Sequence, residues 1–164
     1  MSRDEIKVIA DIVGGDKTYS HFVKRINKEF DDSDEKRNSE VYVFFQEEAD
    51  KQIGFCVVGS SPTKMKVWEK VFKEEGWVNP NFEMTRAFEL MYMYIAPEYR
   101  RQGLGSKLFQ KAHDFTNEQK VNEIYAYVSD QNPGAVSFYQ KMNAKIIQDF
   151  SDEETTAAFL QWKL

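Results

Sequence analysis

The spacing of apolar and polar residues predicts alternating helices and strands at the start of the chain. Residues 6–13 form a partly alternating apolar run that ends at two glycines, which predicts a first strand. Residues 16–30 carry apolar side chains three and four positions apart, which predicts an amphipathic helix. Residues 31–38 are polar and charged, so we expect them to form a solvated loop.

The middle of the chain predicts a β-hairpin followed by a helical insertion. Apolar runs at 41–45 and 53–58 predict two strands with a polar connection between them. Residues 60–86 then form an insertion between the third and fourth predicted strands, with a short helix that ends near Gly76. Its large aromatic residues are expected to form either a lid or acceptor wall, or a satellite core; they are Trp68, Phe72, Trp77 and Phe82.

The carboxy-terminal half predicts a regular alternation of strands and helices. Residues 87–95 are apolar or aromatic at almost every position, which is typical of a strand buried on both faces. A helix follows from Leu104, and Asn132-Pro133 is expected to open another helix as its N-cap and first-turn proline. The remaining predicted strands are 124–128, 145–150 and 157–164. The resulting order of elements predicts an α/β fold, a mixed sheet with helices packed on it.

Length and composition fit one soluble domain, 1–164. The chain has 164 residues, of which 41% are hydrophobic. Its net charge of −5 lacks the basic surplus of a nucleic-acid binder, and no apolar run approaches membrane-spanning length. The single cysteine, Cys56, excludes an intrachain disulfide and lies in an apolar strand, where a buried structural thiol is expected. We therefore expect a cytoplasmic protein with no nucleic-acid or membrane partner.

A glycine turn between a buried strand and a helix is the most informative segment. It reads Arg100-Arg101-Gln102-Gly103-Leu104-Gly105. The two glycines let the backbone approach an anion, and the start of the helix adds unpaired amides and partial positive charge. The two arginines add formal charge beside them. The segment therefore predicts a pyrophosphate site, and an ordinary strand-to-helix turn is the alternative.

Two other phosphate loops do not fit this turn. A Walker loop requires Gly-Lys-Ser/Thr after its second glycine, whereas Gly105 is followed by Ser106 and Lys107. A dinucleotide fingerprint requires a third glycine, and Leu108 occupies its place. A nucleotide-binding domain that uses the turn differently is therefore the weakest of the functional hypotheses.

Two motifs in sequence resemble the GNAT superfamily of acetyl-CoA-dependent N-acetyltransferases. That family's acyl-CoA motif is Arg/Gln-x-x-Gly-x-Gly/Ala after a strand, and residues 100–105 match each fixed place. Residues 132–139 resemble its second signature, an Asn, a small residue and then an aromatic-Tyr pair on a helix. The resemblance is close over residues 88–147 and only topological elsewhere. Asn143-Ala144 replaces the family's frequent Gly-Phe, and Asn can also adopt the left-handed C-cap conformation.

The resemblance implies a fold and a co-substrate. It implies an α/β fold (α+β in some schemes) with a mostly antiparallel central sheet of about seven strands and helices on both faces. It also implies acetyl-CoA as co-substrate and no metal. The implied coenzyme-binding residues lie at the end of a strand, in the glycine turn and in the second signature: Tyr94, Ile95, Arg100, Arg101, Gln102, Gly103, Leu104, Gly105, Ser106 and Asn132.

Two residues are candidates for proton transfer. Glu89 interrupts an apolar strand eleven residues before Arg100, where one pattern of the family places a carboxylate base. Its alternative is a structural glutamate paired with a lysine or arginine, and a water chain could also serve as the base. Tyr139 matches the family's tyrosine that protonates the departing thiolate, and its alternative is a core aromatic residue.

The resemblance implies an N-acetyltransferase that moves an acetyl group to a primary amine by direct attack in a ternary complex. The acceptor would be a small-molecule or peptide amine, and a homodimer is compatible with this function. A non-catalytic acyl-CoA-binding or sensing module is the alternative. Such a module would need the glycine turn but neither Glu89 nor Tyr139.

Overall fold

Five helices and six strands form residues 1–31 and 40–164, the part of the chain that the computed structural model describes. The helices are α1 (Arg3–Val13), α2 (Ser20–Asp31), α3 (Pro62–Glu74), α4 (Leu104–Glu118) and α5 (Ala135–Lys141). The strands are β1 (Val41–Glu48), β2 (Lys51–Gly59), β3 (Ala87–Ile95), β4 (Glu123–Asp130), β5 (Lys145–Asp149) and β6 (Thr156–Lys163). The loop predicted for residues 31–38 falls outside the described residues, apart from the last residue of α2.

The strands form one mixed sheet in the order β1-β2-β3-β4-β6-β5. The pairs β1/β2, β4/β6 and β5/β6 are antiparallel, and β3/β4 is parallel. The structure thus confirms the predicted α/β fold with a mostly antiparallel sheet, built from six strands rather than about seven. None of the helices in the described ranges is long and apolar enough to cross a membrane.

The prediction of a first strand at residues 6–13 was wrong, because these residues belong to helix α1. Ser2 and Glu5 form a capping box, in which the Ser2 hydroxyl accepts from the Glu5 amide and the Glu5 carboxylate accepts from the Ser2 amide. Ile6, Ile9 and Val13 are buried at helical spacing. The helical insertion therefore lies between the second and third strands.

The described residues divide into two compact units. The first comprises Met1–Ser60 and Met91–Phe115, and the second comprises Ser61–Leu90 and Thr116–Leu164. Buried side chains of α1, α2, β2 and the end of β3 form the core of the first unit. The single domain 1–164 stays a prediction.

Cys56 is fully buried in β2, which confirms the prediction of a structural thiol. Burial raises the pKa of this thiol to about 12, because the thiolate would lose its hydration. The side chain is therefore protonated and unreactive at neutral pH.

The aromatic residues of the insertion form a core in the second unit. Phe72 and Tyr125 are completely buried there, and Trp68, Trp77 and Phe82 pack against them. Rings of this cluster also contact Phe159 of β6 at centroid distances of 4.9 to 5.9 Å. Of the two alternatives for these residues, the structure shows the satellite core.

Candidate active site

The glycine turn lies between β3 and α4, as predicted. A short 3-10 turn over Pro97–Tyr99 leads into it, and α4 begins at Leu104. Arg101 and Gly103 both adopt left-handed backbone conformations, with φ of 61° and 77°. A Cβ built on Gly103 would meet no atom within 4 Å. The backbone conformation at Gly103 therefore favours glycine, and the space beside it is open.

The first amides of α4 cannot form a helical hydrogen bond, because no helix residue precedes them by one turn. The first backbone bond that reaches behind the start of α4 runs from the Lys107 amide to the Gly103 carbonyl at 3.2 Å. The amides of Leu104, Gly105 and Ser106 precede it, and unpaired amides at a helix start attract anions. Leu104 is buried and anchors the helix, whereas Gly105 and Ser106 are partly exposed. These amides suit an anion, and their role toward a coenzyme stays a prediction.

Arg100 is largely engaged by the protein itself. Its Nε donates to the Ile95 carbonyl at 2.7 Å, and its guanidinium lies 5.3 and 5.4 Å from the ring centroids of Tyr19 and Tyr94. Its Nη2 also lies 3.8 Å from Oδ2 of Asp16. Arg100 therefore braces the end of β3, and Arg101, which is exposed, is the arginine better placed to meet a phosphate.

The backbone groups at the end of β3 face different directions. The Ala96 amide donates to the Ile53 carbonyl of β2 at 2.8 Å. The Tyr94 carbonyl oxygen would lie 2.7 Å from a Cβ built on Gly54, so β2 and β3 approach closely there and require that glycine. Since alternate residues of a strand point their backbone groups to opposite sides, those of Ile95 point away from β2. The role of Tyr94 and Ile95 toward a coenzyme stays a prediction. The Ile95 amide has the more suitable direction, because the Ile95 carbonyl already accepts from Arg100 Nε.

The Tyr94 side chain stabilises the first unit. Its hydroxyl donates to Oδ2 of Asp16 at 2.8 Å, and its ring contacts Tyr19 and Phe55. Burial and then the Asp16 carboxylate raise the pKa of this hydroxyl, so it remains a donor across the physiological range.

We expect Tyr94→Phe to lower the free energy of unfolding by about 1–3 kcal/mol, because Asp16 loses its donor. Urea denaturation followed by circular dichroism measures this change. Tyr127→Phe is the matched control, because Tyr127 is exposed, and its effect should stay within about 0.5 kcal/mol. Equal effects of the two substitutions would contradict a stabilising role for the Tyr94 hydroxyl.

The parallel pairing of β3 with β4 is short. It joins Ala87, Phe88 and Glu89 to Glu123, Ile124 and Tyr125, although β3 has nine residues and β4 has eight. The residues of β3 after Glu89 lie beyond this pairing.

Glu89 lies at the last position of that pairing and is 6% exposed. Its Oε2 accepts a hydrogen bond from the Ser61 hydroxyl at 2.7 Å, and its Oε1 accepts one from the Lys64 ammonium at 2.8 Å. The ion pair that we considered as the alternative to catalysis is therefore present. Each carboxylate oxygen has a second lone pair, so each can accept one further hydrogen bond beside this pairing.

Asn132 is not the N-cap of α5, so that prediction was wrong. The N-cap is Gly134, and the helix begins at Ala135. Asn132 Oδ1 accepts from the Gly134 amide at 2.9 Å, and its carbonyl accepts from the Ala135 amide at 3.1 Å. These bonds form a turn that delays the helix until after Pro133. Its role toward a coenzyme stays a prediction.

Tyr139 is partly buried on α5. Its ring contacts Phe138 at a centroid distance of 5.1 Å and Trp162 of β6 at 5.5 Å. These contacts fix the ring against the sheet. Its catalytic role stays a prediction.

The sequence did not predict three residues that hold the candidate groups in place. Asp16 bonds Tyr94 across 78 positions, and Ser61 and Lys64 bond Glu89 across 28 and 25. None belongs to a motif. Ser61 was visible only as a polar residue before a helix-starting proline.

Comparison with known proteins shows the family. The model of the acetyltransferase (GNAT) family matches residues 8–144, which is most of the chain. The chain therefore belongs to the GNAT acetyltransferase family, and the resemblance found in its two motifs is confirmed.

A curated relative and two solved structures illustrate this similarity. Thialysine N-epsilon-acetyltransferase of Bos taurus is 32% identical over 62 residues, 38% of this chain and 35% of that protein. The chain spans about a third of the length of the curated relatives it matches.

The two solved structures share the fold. PaiA N-acetyltransferase from Thermoplasma acidophilum, in complex with coenzyme A, has a TM-score of 0.63 and 16% identity over 100% of this chain and 96% of that one. The ribosomal-protein-S18-alanine N-acetyltransferase from Escherichia coli has a TM-score of 0.66 and 13% identity over 99% and 90% of the two chains.

Proposed function

We propose that this protein transfers the acetyl group of acetyl-CoA to a primary amine. The observation that carries the proposal is the open glycine turn at the start of α4 in a chain of the GNAT family. A coenzyme A complex of a protein with this fold, and the names of the relatives, support it. A non-catalytic acyl-CoA-binding module would need neither Glu89 nor Tyr139, so the presence of both favours the enzyme.

The turn binds the pyrophosphate in this proposal. The amides of residues 102–106 donate to the phosphate oxygens, and the partial positive charge of the helix start adds attraction. Arg101 supplies formal charge beside them. The bound coenzyme supplies an acetyl group activated as a thioester, and no metal is required.

Glu89 accepts the proton that the acceptor must lose. An amine with a pKa of about 10.4 is neutral to only about one part in a thousand at neutral pH, so removal of this proton limits the rate. Ser61 and Lys64 keep the carboxylate oriented. A water chain that leads to Glu89 would perform the same transfer over a longer distance.

Tyr139 holds a proton at its hydroxyl oxygen for the departing sulfur. A thiol has a pKa of about 8.5, so its thiolate is a tolerable leaving group. Protonation by Tyr139 therefore contributes only modestly to the rate. The ring contacts with Phe138 and Trp162 position the hydroxyl.

We expect Tyr139→Phe to lower kcat while leaving the Kd for acetyl-CoA within about twofold, because proton donation acts in the transition state. Steady-state kinetics and calorimetry measure the two quantities. Tyr42→Phe in β1 is the control: it also removes a tyrosine hydroxyl, and it should change neither kcat nor the Kd for acetyl-CoA. Unchanged kcat in Tyr139→Phe would make Tyr139 a core aromatic residue only.

Both small-molecule and peptide amines are proposed as acceptor classes. One relative is named for thialysine and one structural neighbour for a ribosomal-protein alanine, which supports an amine acceptor without choosing the class. The cytoplasm and a homodimer remain parts of this proposal. Fractionation tests the first, and analytical ultracentrifugation tests the second.

A thermal-shift comparison tests the coenzyme part of the proposal. Acetyl-CoA and CoA should raise the melting temperature, whereas NAD and ATP should leave it unchanged. Stabilisation by NAD or ATP, but not by CoA, would instead indicate a nucleotide-binding domain.

A further inference from the structure

A cavity of about 440 Å³ lies within the second unit, and none of its lining residues has been given a coenzyme-binding or catalytic role above. Its walls come from residues 77–83 and from the adjoining ends of β4, β5 and β6. Its volume is within the range of small-molecule sites. The lining residues that matter most are Trp77, Phe82, Glu83, Glu123, Lys145 and Lys163.

Glu123 places a carboxylate in this cavity that only neutral groups bond. Its Oε2 accepts from the Tyr125 hydroxyl at 2.7 Å, and its Oε1 accepts from Gln161 Nε2 at 3.0 Å. Tyr125 is 0% exposed and Gln161 is 4% exposed, so both donors are held rigidly. Burial, followed by Glu123, raises the pKa of the Tyr125 hydroxyl, which therefore keeps its proton.

Glu123 makes no ion pair within 4.0 Å in the part of the chain that the structure describes. Lys163 is its cross-strand partner on β6, yet no ion pair within 4.0 Å joins the two among the residues that the structure describes. A partly buried carboxylate is most stable beside a positive charge. The site is thus prepared for an ammonium group.

The rest of the lining shows what such a ligand would look like. Trp77 and Phe82 offer aromatic surfaces, which attract both apolar groups and cations. Lys145 and Lys163 are exposed and supply positive charge at the rim. Both signs of charge therefore line one cavity, with aromatic and aliphatic side chains beside them.

We propose that this cavity binds a free amino acid with an apolar side chain, as its zwitterion. The ammonium group lies at Glu123, the carboxylate meets Lys145 and Lys163, and the side chain packs on Trp77 and Phe82. This site is separate from the proposed acetyl transfer and does not depend on it.

Calorimetry with three matched compounds tests the charge requirement on the full chain. L-leucine carries both charges, 3-methylbutylamine lacks the carboxylate, and 4-methylpentanoate lacks the ammonium. Leucine should bind at least about tenfold more tightly than either analogue, because charge-assisted hydrogen bonds are the strong ones. Equal binding of the amine would overturn the zwitterion and leave a simple amine site.

Variants separate the two charge contacts. Glu123→Gln should weaken leucine and 3-methylbutylamine by about tenfold, and Lys145→Gln with Lys163→Gln should weaken leucine but not the amine. Lys66→Gln, an exposed lysine outside the cavity, is the matched control.

The Trp77 indole resonance of the wild-type protein gives a readout that does not depend on any variant. It should shift on leucine titration. No shift at about 10 mM, or unchanged leucine affinity in Glu123→Gln, would overturn the proposal.

Discussion

Replacing Glu89 with Gln is expected to slow acetyl transfer by about two to four orders of magnitude at neutral pH. The amide has nearly the shape of the carboxylate but cannot accept the amine's proton. Its two neighbours can still hydrogen-bond it, since the side-chain oxygen of Gln accepts from Ser61 or Lys64. The substitution therefore tests basicity more than packing.

The pH dependence distinguishes a base from a structural residue. As pH rises, the neutral fraction of the amine grows without help, so the defect of Glu89→Gln should shrink toward alkaline pH. A pH–rate profile parallel to wild type over about pH 6–9 would contradict the role and favour a water chain that does not end at Glu89.

Lys64→Gln is the matched control for this prediction. It removes the ammonium that lies 2.8 Å from Glu89 but leaves the carboxylate in place. If the ion pair is only structural, both variants lose stability to a similar extent and retain turnover. If Glu89 is the base, Lys64→Gln disturbs only the orientation of the carboxylate, so its loss of kcat stays far below the loss of about two to four orders of magnitude expected of Glu89→Gln.

Replacing Gly105 with Asp is expected to weaken CoA binding by at least about a hundredfold. The new carboxylate repels the phosphates that the first amides of α4 hold, and like charges in contact cost several kcal/mol. The fold should persist, because an acidic side chain is favourable in the first turn of a helix. Calorimetric titration with CoA measures the affinity, and circular dichroism checks the fold.

Gly15→Asp is the matched control, since a Cβ at Gly15 meets no atom within 4 Å and the residue lies on the surface. It adds the same charge and should leave CoA affinity within about twofold. A folded Gly105→Asp protein with unchanged affinity would place the phosphate site elsewhere.

The sequence predicted those elements whose structure depends on consecutive residues. β3 has the predicted bounds, because nearly every side chain from Ala87 to Ile95 is apolar or aromatic. The glycine turn was recognisable because its function depends on consecutive residues. Residues 6–13 were assigned to a strand because their partial alternation outweighed a capping box that begins at Ser2.

Long-range contacts were beyond the reach of the sequence. The surroundings of Glu89 depend on Ser61 and Lys64, which precede it by 28 and 25 residues. No motif or periodicity relates them, so the ion pair could be considered but not located. Arg100 was expected beside a phosphate, but it contacts Tyr19, Tyr94 and Asp16. The reason is that the fold brings the residues just before α2 next to the end of β3.

Incubation of the protein with acetyl-CoA and a panel of amines tests the central claim most directly. The panel contains polyamines, amino sugars, lysine analogues and short peptides, and both released thiol and acetylated product are followed, the latter by mass spectrometry. Cys56 is buried with a pKa raised to about 12, so the thiol signal reports CoA. We predict stoichiometric thiol release and a gain of one acetyl group on at least one amine. Tight binding of acetyl-CoA with no amine acetylated across the panel would contradict the enzyme and indicate an acyl-CoA-binding module.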